Sequence, residues 1–202
     1  GEEEKMRPYF WRFFTKTPEK GRMHIFDQSW YRGVYEGAIG EKDVTEFEKM
    51  LIQDGALIVK FFLLISAKEQ KKRLEKMEKD EDTRWRVSDF DKWQNEHYKK
   101  CAKIFSQYLS DTNASSAPWY IIDASDRKWA ELQVLETMVS NIQVAMQNQA
   151  HSVPILQNVF PLEQIPRLSD IDLRDKTMDD EEYRGELKQL QSKLGELHNK
   201  LY

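Results

Sequence analysis

The longest apolar run in the chain, Ala56–Ile65, limits the fold more than any other feature. It is interrupted only by Lys60 and is far shorter than the ~20 residues that cross a bilayer. The run is rich in β-branched and aromatic residues, which favours a central strand covered on both faces. Asp54-Gly55 before it is a typical helix end, and Ser66 after it, followed by Glu69, predicts a helix N-cap with a capping box.

Helical and extended patterns alternate on both sides of this strand. Alternation of this kind predicts an α/β fold with a parallel sheet. The segment 80–91 mixes charge with Trp85 and is expected to be irregular, and 110–118 is expected to be a loop. The predicted helices are 2–16, 42–54, 66–79, 92–109 and 126–149, and the predicted strands are 22–27, 56–65 and 119–122.

The chain changes character after residue 150. Residues 151–178 contain three of the six prolines and are expected to form a linker. Residues 179–202 carry leucines at alternating three- and four-residue spacing, which predicts an amphipathic helix. This apolar stripe needs a partner surface, which could belong to a further domain or to a second copy of the chain.

Composition excludes several classes of protein. The formal net charge is -4, from 31 Lys and Arg against 35 Asp and Glu, so a general nucleic-acid partner is not expected. The single cysteine, Cys101, excludes an internal disulfide framework and is predicted to be a small buried residue. No signal-peptide stretch or membrane span is recognisable, and a soluble cytoplasmic protein, cut from something longer, is the expectation.

The predicted strand His24–Asp27 ends in an acid, as does the Walker-B strand of nucleotide-binding P-loop proteins. There the acid at the carboxyl end of the strand holds a magnesium ion directly or through water. Many strands end in a turn acid that binds nothing, and this alternative stays open for Asp27.

Six blocks of the sequence, in the right order, resemble those of the type-2 polyphosphate kinases. IFDQSWY at 25–31 is similar to the family signature IFDRSWY, and RPYFWRFF at 7–14 is similar to RPYLWRF. The other blocks are EFEKML with DG at 46–55, VKFFL at 59–63, WRVS at 85–88 and APWYII at 117–122. Leu168–Leu173 and the leucine-rich tail resemble the segment that precedes the Walker-A strand in the same family.

The resemblance implies a three-layer α/β sandwich of the thymidylate-kinase-like P-loop type, incomplete at the N-terminus, with a helical C-terminal arm. It implies transfer of a phosphoryl group between inorganic polyphosphate and AMP, ADP or a similar nucleotide, with magnesium. The chain would be the later part of the first domain of a two-domain member: residues 1–150 a partial kinase-like domain, 151–178 a linker, and 179–202 the start of a second domain or a contact in a homo-oligomer.

The resemblance also suggests site residues. Asp27 would bring the metal, with Arg32 as a second catalytic group that steadies phosphate. Asp123 and Ser125, at the carboxyl end of the last strand, would border the nucleotide. Solvated charge is the alternative for the arginines, and a helix N-cap by Asp126, which needs no ligand, is the alternative at 123–127. The proposed phosphate contacts are Gln28, Ser29, Arg84 and Arg86.

Two departures from the family affect the expected activity. The family's glycine-rich Walker-A loop belongs upstream of Arg7, and none of the eight glycines forms such a phosphate cradle. Gln28 stands where the family has an arginine, and glutamine cannot neutralise a phosphate chain. This chain alone is therefore not expected to turn over. Two other functions stay open: a non-catalytic, kinase-derived domain that supports an active partner, and a nucleoside-monophosphate kinase that uses ATP, which the FDQSWY run disfavours.

Overall fold

The computed structural model describes residues 6–149, 165–171, 173 and 178–200. Ten helices and strands follow one another in this part, with short 3-10 turns at Arg84–Arg86 and Leu168–Asp170. They are α1 (Trp11–Phe14), α2 (Tyr31–Tyr35), α3 (Glu41–Gln53), β1 (Lys60–Leu64), α4 (Ala67–Lys79), α5 (Asp89–Glu96), α6 (Tyr98–Asp111), β2 (Trp119–Asp123), α7 (Arg127–Gln149) and α8 (Asp180–Lys200).

The two strands form a parallel sheet, in which Lys60 pairs with Trp119 and Leu64 with Asp123. The helices between them make the crossover that a parallel pair requires. The predicted α/β fold with a parallel sheet is therefore confirmed. β1 is shorter than the predicted strand 56–65, and it is not covered on both faces, because the side chain of Leu63 is 57% exposed.

The predicted strand at 22–27 is wrong. These residues have no regular secondary structure and pair with no strand in the described chain, and Ile25 is 82% exposed. Only Phe26 turns inward, where its ring meets those of Phe13 and Trp30. An apolar run becomes a strand only where a neighbour accepts its backbone hydrogen bonds, and none of the described segments takes that place.

The sequence predicted the ends of two helices correctly. Ser66 Oγ accepts a hydrogen bond from Glu69 N at 3.2 Å, so the predicted N-cap is confirmed. The capping box is wrong, because the Glu69 carboxylate pairs with Arg73 and Lys72 instead. Gly55 ends α3 with a φ of 96°, as its position predicts.

Several helix predictions were wrong in detail. Helix 92–109 is two helices, α5 and α6, which meet at His97, and α5 begins within the segment predicted to be irregular. Within the described part of predicted helix 2–16, only α1 is α-helical, and residues 1–5 lie outside the described part. α2 was not predicted, and its glycine, Gly33, leaves space for the ring of Tyr9, which an added methyl group would overlap.

The leucine stripe of α8 is covered within the same chain. Leu190, Leu194 and Leu197 pack with Val139 and Ile142 of α7. The described part of the stripe, which was expected to need a further domain or a second copy of the chain, therefore packs on α7 instead. Leu168, in the expected linker, is also buried and packs with Leu64 and Leu109; residues 150–164, 172 and 174–177 lie outside the described part. In the described residues, no helix is long and apolar enough to cross a membrane.

Candidate functional site

The turn Asp27–Ser29 lies between residues 22–26 and α2, and its backbone is unusual. Gln28 and Ser29 both have positive φ angles, 57° and 41°, although neither is glycine. Each such residue costs about 1–3 kcal/mol and persists only where the surrounding structure holds it. Asp27, at the start of the turn, is exposed and makes no hydrogen bond or ion pair with any described residue. Its carboxylate is thus available to a ligand.

The two residues after the turn are anchored in the interior. Trp30 is 6% exposed, and its ring contacts those of Phe13 and Phe47. Trp30 Nε1 and the Tyr31 hydroxyl both donate hydrogen bonds to Glu48 Oε1 of α3, at 3.0 and 2.7 Å. Through these contacts both side chains are tied to α3 in the interior.

Glu48 forms a buried ion pair with Lys60, the first residue of β1. Lys60 Nζ lies 2.9 Å from Glu48 Oε2, and each side chain is only 4% exposed. The ammonium also donates to the Tyr31 hydroxyl at 3.0 Å and to the Thr112 carbonyl at 2.8 Å. All three ammonium protons therefore have an acceptor, which an ion pair needs if it is to be tolerated in the interior.

Burial shifts the titration of two groups in this network. Loss of solvent lowers the pKa of Lys60, and the charge of Glu48 opposes that shift. Burial raises the pKa of Tyr31 strongly, and the charge of Glu48 adds to the rise because a tyrosinate there would face a carboxylate. The network has no spare ammonium proton for a substrate, so its arrangement suits it to hold structure rather than to transfer protons.

Four of the family-like blocks meet at this network. Trp30 and Tyr31 come from the first, Glu48 from the second and Lys60 from the third. The fourth supplies Trp119, whose ring lies 4.7 Å from that of Tyr31 and 5.1 Å from Lys60 Nζ. Sequence analysis missed Glu48 and Lys60 as site components. A usable signal was present, since a lysine inside a buried apolar run needs an acidic partner.

The predicted phosphate-binding arginine Arg32 already has partners. Its Nε lies 2.6 Å from Glu36 Oε1, and its Nη1 donates to Gln28 Oε1 at 3.4 Å. The Glu36 carboxylate raises the pKa of Arg32. The Arg32 and Glu36 side chains are 61% and 49% exposed, so a phosphate could compete for the guanidinium. Ser29 is half-buried at the start of α2.

Arg84 and Arg86 lie on the exposed 3-10 turn after α4. Arg86 stacks over the ring of Trp85 at 5.2 Å, and Trp85 itself is 75% exposed. The side chain of Arg84 makes no hydrogen bond or ion pair with the described residues. This turn therefore presents two exposed guanidinium groups and an exposed aromatic ring.

Asp123 and Ser125 lie in the turn at the carboxyl end of β2. Ser125 N donates to Asp123 Oδ1 at 2.9 Å, while Asp123 Oδ2 is buried without a hydrogen-bond partner in the described chain. Arg73 Nη2 holds the turn through the carbonyls of Ala124 and Ser125, at 2.7 and 2.9 Å. Asp126 caps α7 by accepting a hydrogen bond from Trp129 N at 2.8 Å, which its sequence position predicted.

The predicted site residues form three groups, with no hydrogen bond or ion pair between the groups in the described chain: 27–29 with Arg32, Arg84 with Arg86, and Asp123 with Ser125. Tyr31 meets Lys60 and Trp119 at the amino ends of the two strands. Asp123 lies at the other end of β2, four residues and roughly 13 Å farther along. Asp27 forms no hydrogen bond or ion pair with the arginines or with Ser125. Each group therefore stands as a separate candidate.

The described residues contain no group of three or more His, Cys, Asp or Glu side chains that could hold a metal ion. One common mode of magnesium binding does not need such a group. Mg²⁺ at phosphate-transfer sites often takes only one or two protein carboxylates and obtains its other ligands from water and substrate phosphates. The exposed carboxylate of Asp27 fits one such ligand.

Solved structures with a similar fold are polyphosphate kinases. The fold resembles that of a putative polyphosphate kinase 2 from Pseudomonas aeruginosa, with a TM-score of 0.66 and 28% identity, over 73% of this chain and 34% of that one. It also resembles polyphosphate kinase 2 from Arthrobacter aurescens, with a TM-score of 0.63 and 23% identity, over 94% of this chain and 62% of that one. The second likeness concerns the fold alone.

The family model described as polyphosphate kinase 2 matches residues 1–150, and the chain therefore belongs to that family. Polyphosphate:AMP phosphotransferase from Pseudomonas aeruginosa is 31% identical over 97% of this chain and 42% of its own length. NDP-polyphosphate phosphotransferase 1 from Ruegeria pomeroyi is 32% identical over 69% of this chain and 49% of its own length. The chain thus spans less than half the length of these two curated relatives.

Proposed function

We propose that the protein containing this chain transfers a phosphoryl group between inorganic polyphosphate and a nucleoside mono- or diphosphate, with magnesium and in the cytoplasm. The observation that carries the proposal is the family match over residues 1–150, together with the names of the relatives. In such a reaction the terminal phosphoryl group leaves a phosphate oxygen of polyphosphate and is taken by a phosphate oxygen of the nucleotide, so the protein mainly positions reactants and stabilises charge.

The free carboxylate of Asp27 supports its assignment as a magnesium ligand. Arg84 and Arg86 are exposed cations that could line a polyphosphate path, because guanidinium groups match phosphate oxygens in geometry and charge. Arg32 would join them by exchanging Glu36 for a phosphate. Asp123 and Ser125 would border the nucleotide, at the sheet edge where open α/β folds bind ligands.

The phosphate cradle has to come from elsewhere. None of the glycines in the sequence lies in a Walker-A pattern, so the β- and γ-phosphates would lack the backbone N–H groups and the lysine that hold them. We therefore expect the 202-residue chain alone to be inactive. We keep the proposed division into a partial P-loop kinase-like domain, residues 1–150, a linker, 151–178, and a helix, 179–202, that begins a further domain.

A non-catalytic role is the second candidate. Gln28 favours it, because its side-chain oxygen accepts a hydrogen bond from Arg32 and it brings no positive charge to the turn. The open edge of the sheet favours it as well. β1 has one neighbouring strand in the described chain, and its residue Leu63 is 57% exposed. A second kinase-like domain or another copy of the chain could cover that edge, and this contact would stabilise the active partner.

The test is magnesium-dependent phosphorylation of AMP and ADP by long-chain polyphosphate. The 202-residue chain and a version extended upstream to include a phosphate loop are assayed side by side. Activity of the extended version alone, lost in its Asp27→Asn variant, is the expected result. Silence of both, when both are folded, contradicts the catalytic proposal and favours the supporting role.

Gln28→Arg in the extended version separates the two candidates. A weakened active site should become faster, because the arginine restores a charge that can face phosphate. A supporting domain should show no change in rate. Arg22→Lys in the extended version, a change that keeps the charge at a position outside the turn, is the control for handling and stability.

A further inference from the structure

We propose that Glu48 is a positioning residue for the turn that carries Asp27. Hydrogen bonds from Trp30 and Tyr31 to one oxygen of its buried carboxylate hold Gln28 and Ser29, which follow Asp27, at positive φ. The consequence for phosphate transfer rests on the proposed function, but the structural role does not.

The turn is not held in place by its own polar contacts. Its polar contacts are local and long: Arg32 N donates to Gln28 O at 3.2 Å, and Arg32 Nη1 donates to Gln28 Oε1 at 3.4 Å. Both bonds lie within one turn of chain, and the second involves an exposed side chain. A strained backbone needs stronger restraints than these.

The contacts that restrain the backbone of the turn lie just outside it, on both sides. Phe26 packs its ring against Phe13 and Trp30 on one side. On the other side, the chain is fixed by Trp30 and Tyr31 together, and the polar part of that fixation ends on Glu48 Oε1. The Tyr9 hydroxyl adds a longer hydrogen bond to the Trp30 carbonyl, at 3.4 Å.

The carboxylate of Glu48 is itself held in place by hydrogen bonds. Lys60 Nζ binds its second oxygen at 2.9 Å, and Lys60 is fixed in β1 and bonded to the Thr112 carbonyl. A carboxylate that is 4% exposed and held on one oxygen by the sheet can hold a loop on the other. The network therefore links the position of the turn to the position of β1.

A pair of double variants separates the acceptor from the charge. Glu48→Gln/Lys60→Met removes both charges and keeps an oxygen that can accept from Trp30 and Tyr31. Glu48→Leu/Lys60→Met removes the charges and the acceptor together. Neither variant leaves an unpaired buried ion, so the two differ mainly in the acceptor.

The measurement is amide hydrogen exchange of the folded variants, followed by mass spectrometry. We expect exchange of residues 27–31 to be about tenfold faster in Glu48→Leu/Lys60→Met than in Glu48→Gln/Lys60→Met, with equal exchange in α7. Equal exchange of the turn in the two variants overturns the proposal.

Tyr31→Phe provides a second route if a double variant fails to fold. It removes one of the two hydrogen bonds to Glu48, and we expect about threefold faster exchange at 27–31. Tyr183→Phe is the matched control, because it removes another tyrosine–glutamate hydrogen bond, to Glu131 on α7, and should leave the turn unchanged. If Tyr31→Phe exchanges like the control, the proposal is wrong.

Activity of the upstream-extended version distinguishes this inference from the proposed function. If the function is right, Glu48→Leu/Lys60→Met lowers kcat about tenfold or more relative to Glu48→Gln/Lys60→Met, with little change in KM for polyphosphate. Faster exchange of the turn with no activity in any variant, wild type included, rejects the function and keeps the positioning role. Full activity with unchanged exchange rejects the positioning role and keeps the function.

Discussion

The same two kinds of charge meet in very different surroundings in two regions of the molecule. Lys60 and Glu48 pair in the interior with 4% of each side chain exposed, whereas Lys71 and Glu75 pair on the surface of α4 with 69% and 53% exposed. Interior groups cannot replace a lost partner by water, while surface groups can. The motif charges Glu48 and Lys60 therefore build the interior, while the charges able to meet a ligand lie outside this network.

This difference changes how the family-like blocks are interpreted. Four of the six blocks supply residues to the buried network, among them Trp30, Glu48 and Lys60. Their chemistry is satisfied within the protein. The candidates for contact with phosphate and metal are instead Asp27 and Arg84, whose side chains have no polar partner among the described residues.

Lys60→Met should have the largest effect, because it leaves Glu48 charged and buried without its partner. We expect the free energy of unfolding to fall by about 3–5 kcal/mol. Urea denaturation at neutral pH measures the loss. The double variant Glu48→Gln/Lys60→Met should recover more than half of it. A single variant within about 1 kcal/mol of wild type would mean that the interior tolerates the charge, contrary to the comparison.

Arg73→Lys should have the next largest effect, although Arg73 lies on the same helix as the surface pairs. Its guanidinium donates to the carbonyls of Ala124 and Ser125, and a lysine ammonium cannot reproduce that planar geometry. We expect a loss of about 1–2 kcal/mol in urea denaturation. Lys72→Arg, next to it on α4, is the control and should be close to neutral. Equal effects at the two positions would show that the carbonyl contacts contribute nothing.

Alkaline pH offers a test of the network without removing a charge. The pKa of Tyr31 is raised in the folded protein, so the stability that its proton provides is fully present below pH 10, the ordinary value, and is lost as pH rises above it. We expect wild type to lose up to about 1.4 kcal/mol per pH unit more than Tyr31→Phe above pH 10. Urea denaturation at pH 8 to 11 measures this difference. Parallel pH curves for the two proteins would contradict the assigned proton.

Sequence reasoning predicted the elements that local chemistry determines. Ser66, Gly55 and Asp126 mark helix ends through hydrogen bonds or backbone angles a few residues away, and these predictions were confirmed. The α/β class followed from the alternation of patterns. Strand 22–27 could not be predicted correctly in this way, because whether an extended segment becomes a strand depends on a distant neighbour.

The candidate site was only partly predictable for the same reason. Asp27 and Arg84 were predicted to contact metal and phosphate, and the side chains of both are exposed and have no polar partner in the described part of the chain. Glu48 was quoted only as part of a family-like block, because its partners lie 12 to 18 positions away, on other elements. Only a register between α3 and β1 that no local pattern contains brings it to Lys60.

Lys71→Gln should have the smallest effect and completes the comparison with Lys60. The pair with Glu75 has a 4.0 Å separation between Nζ and Oε1, and both groups keep most of their contact with water. Salt screens such a pair, and the entropy of two long side chains opposes its formation. We expect the free energy of unfolding to change by less than about 0.5 kcal/mol in urea denaturation at low salt, and by less still at high salt. A loss comparable to that of Lys60→Met would mean that exposure does not decide what a charge contributes here, and the division between interior and ligand-facing charges would lose its basis.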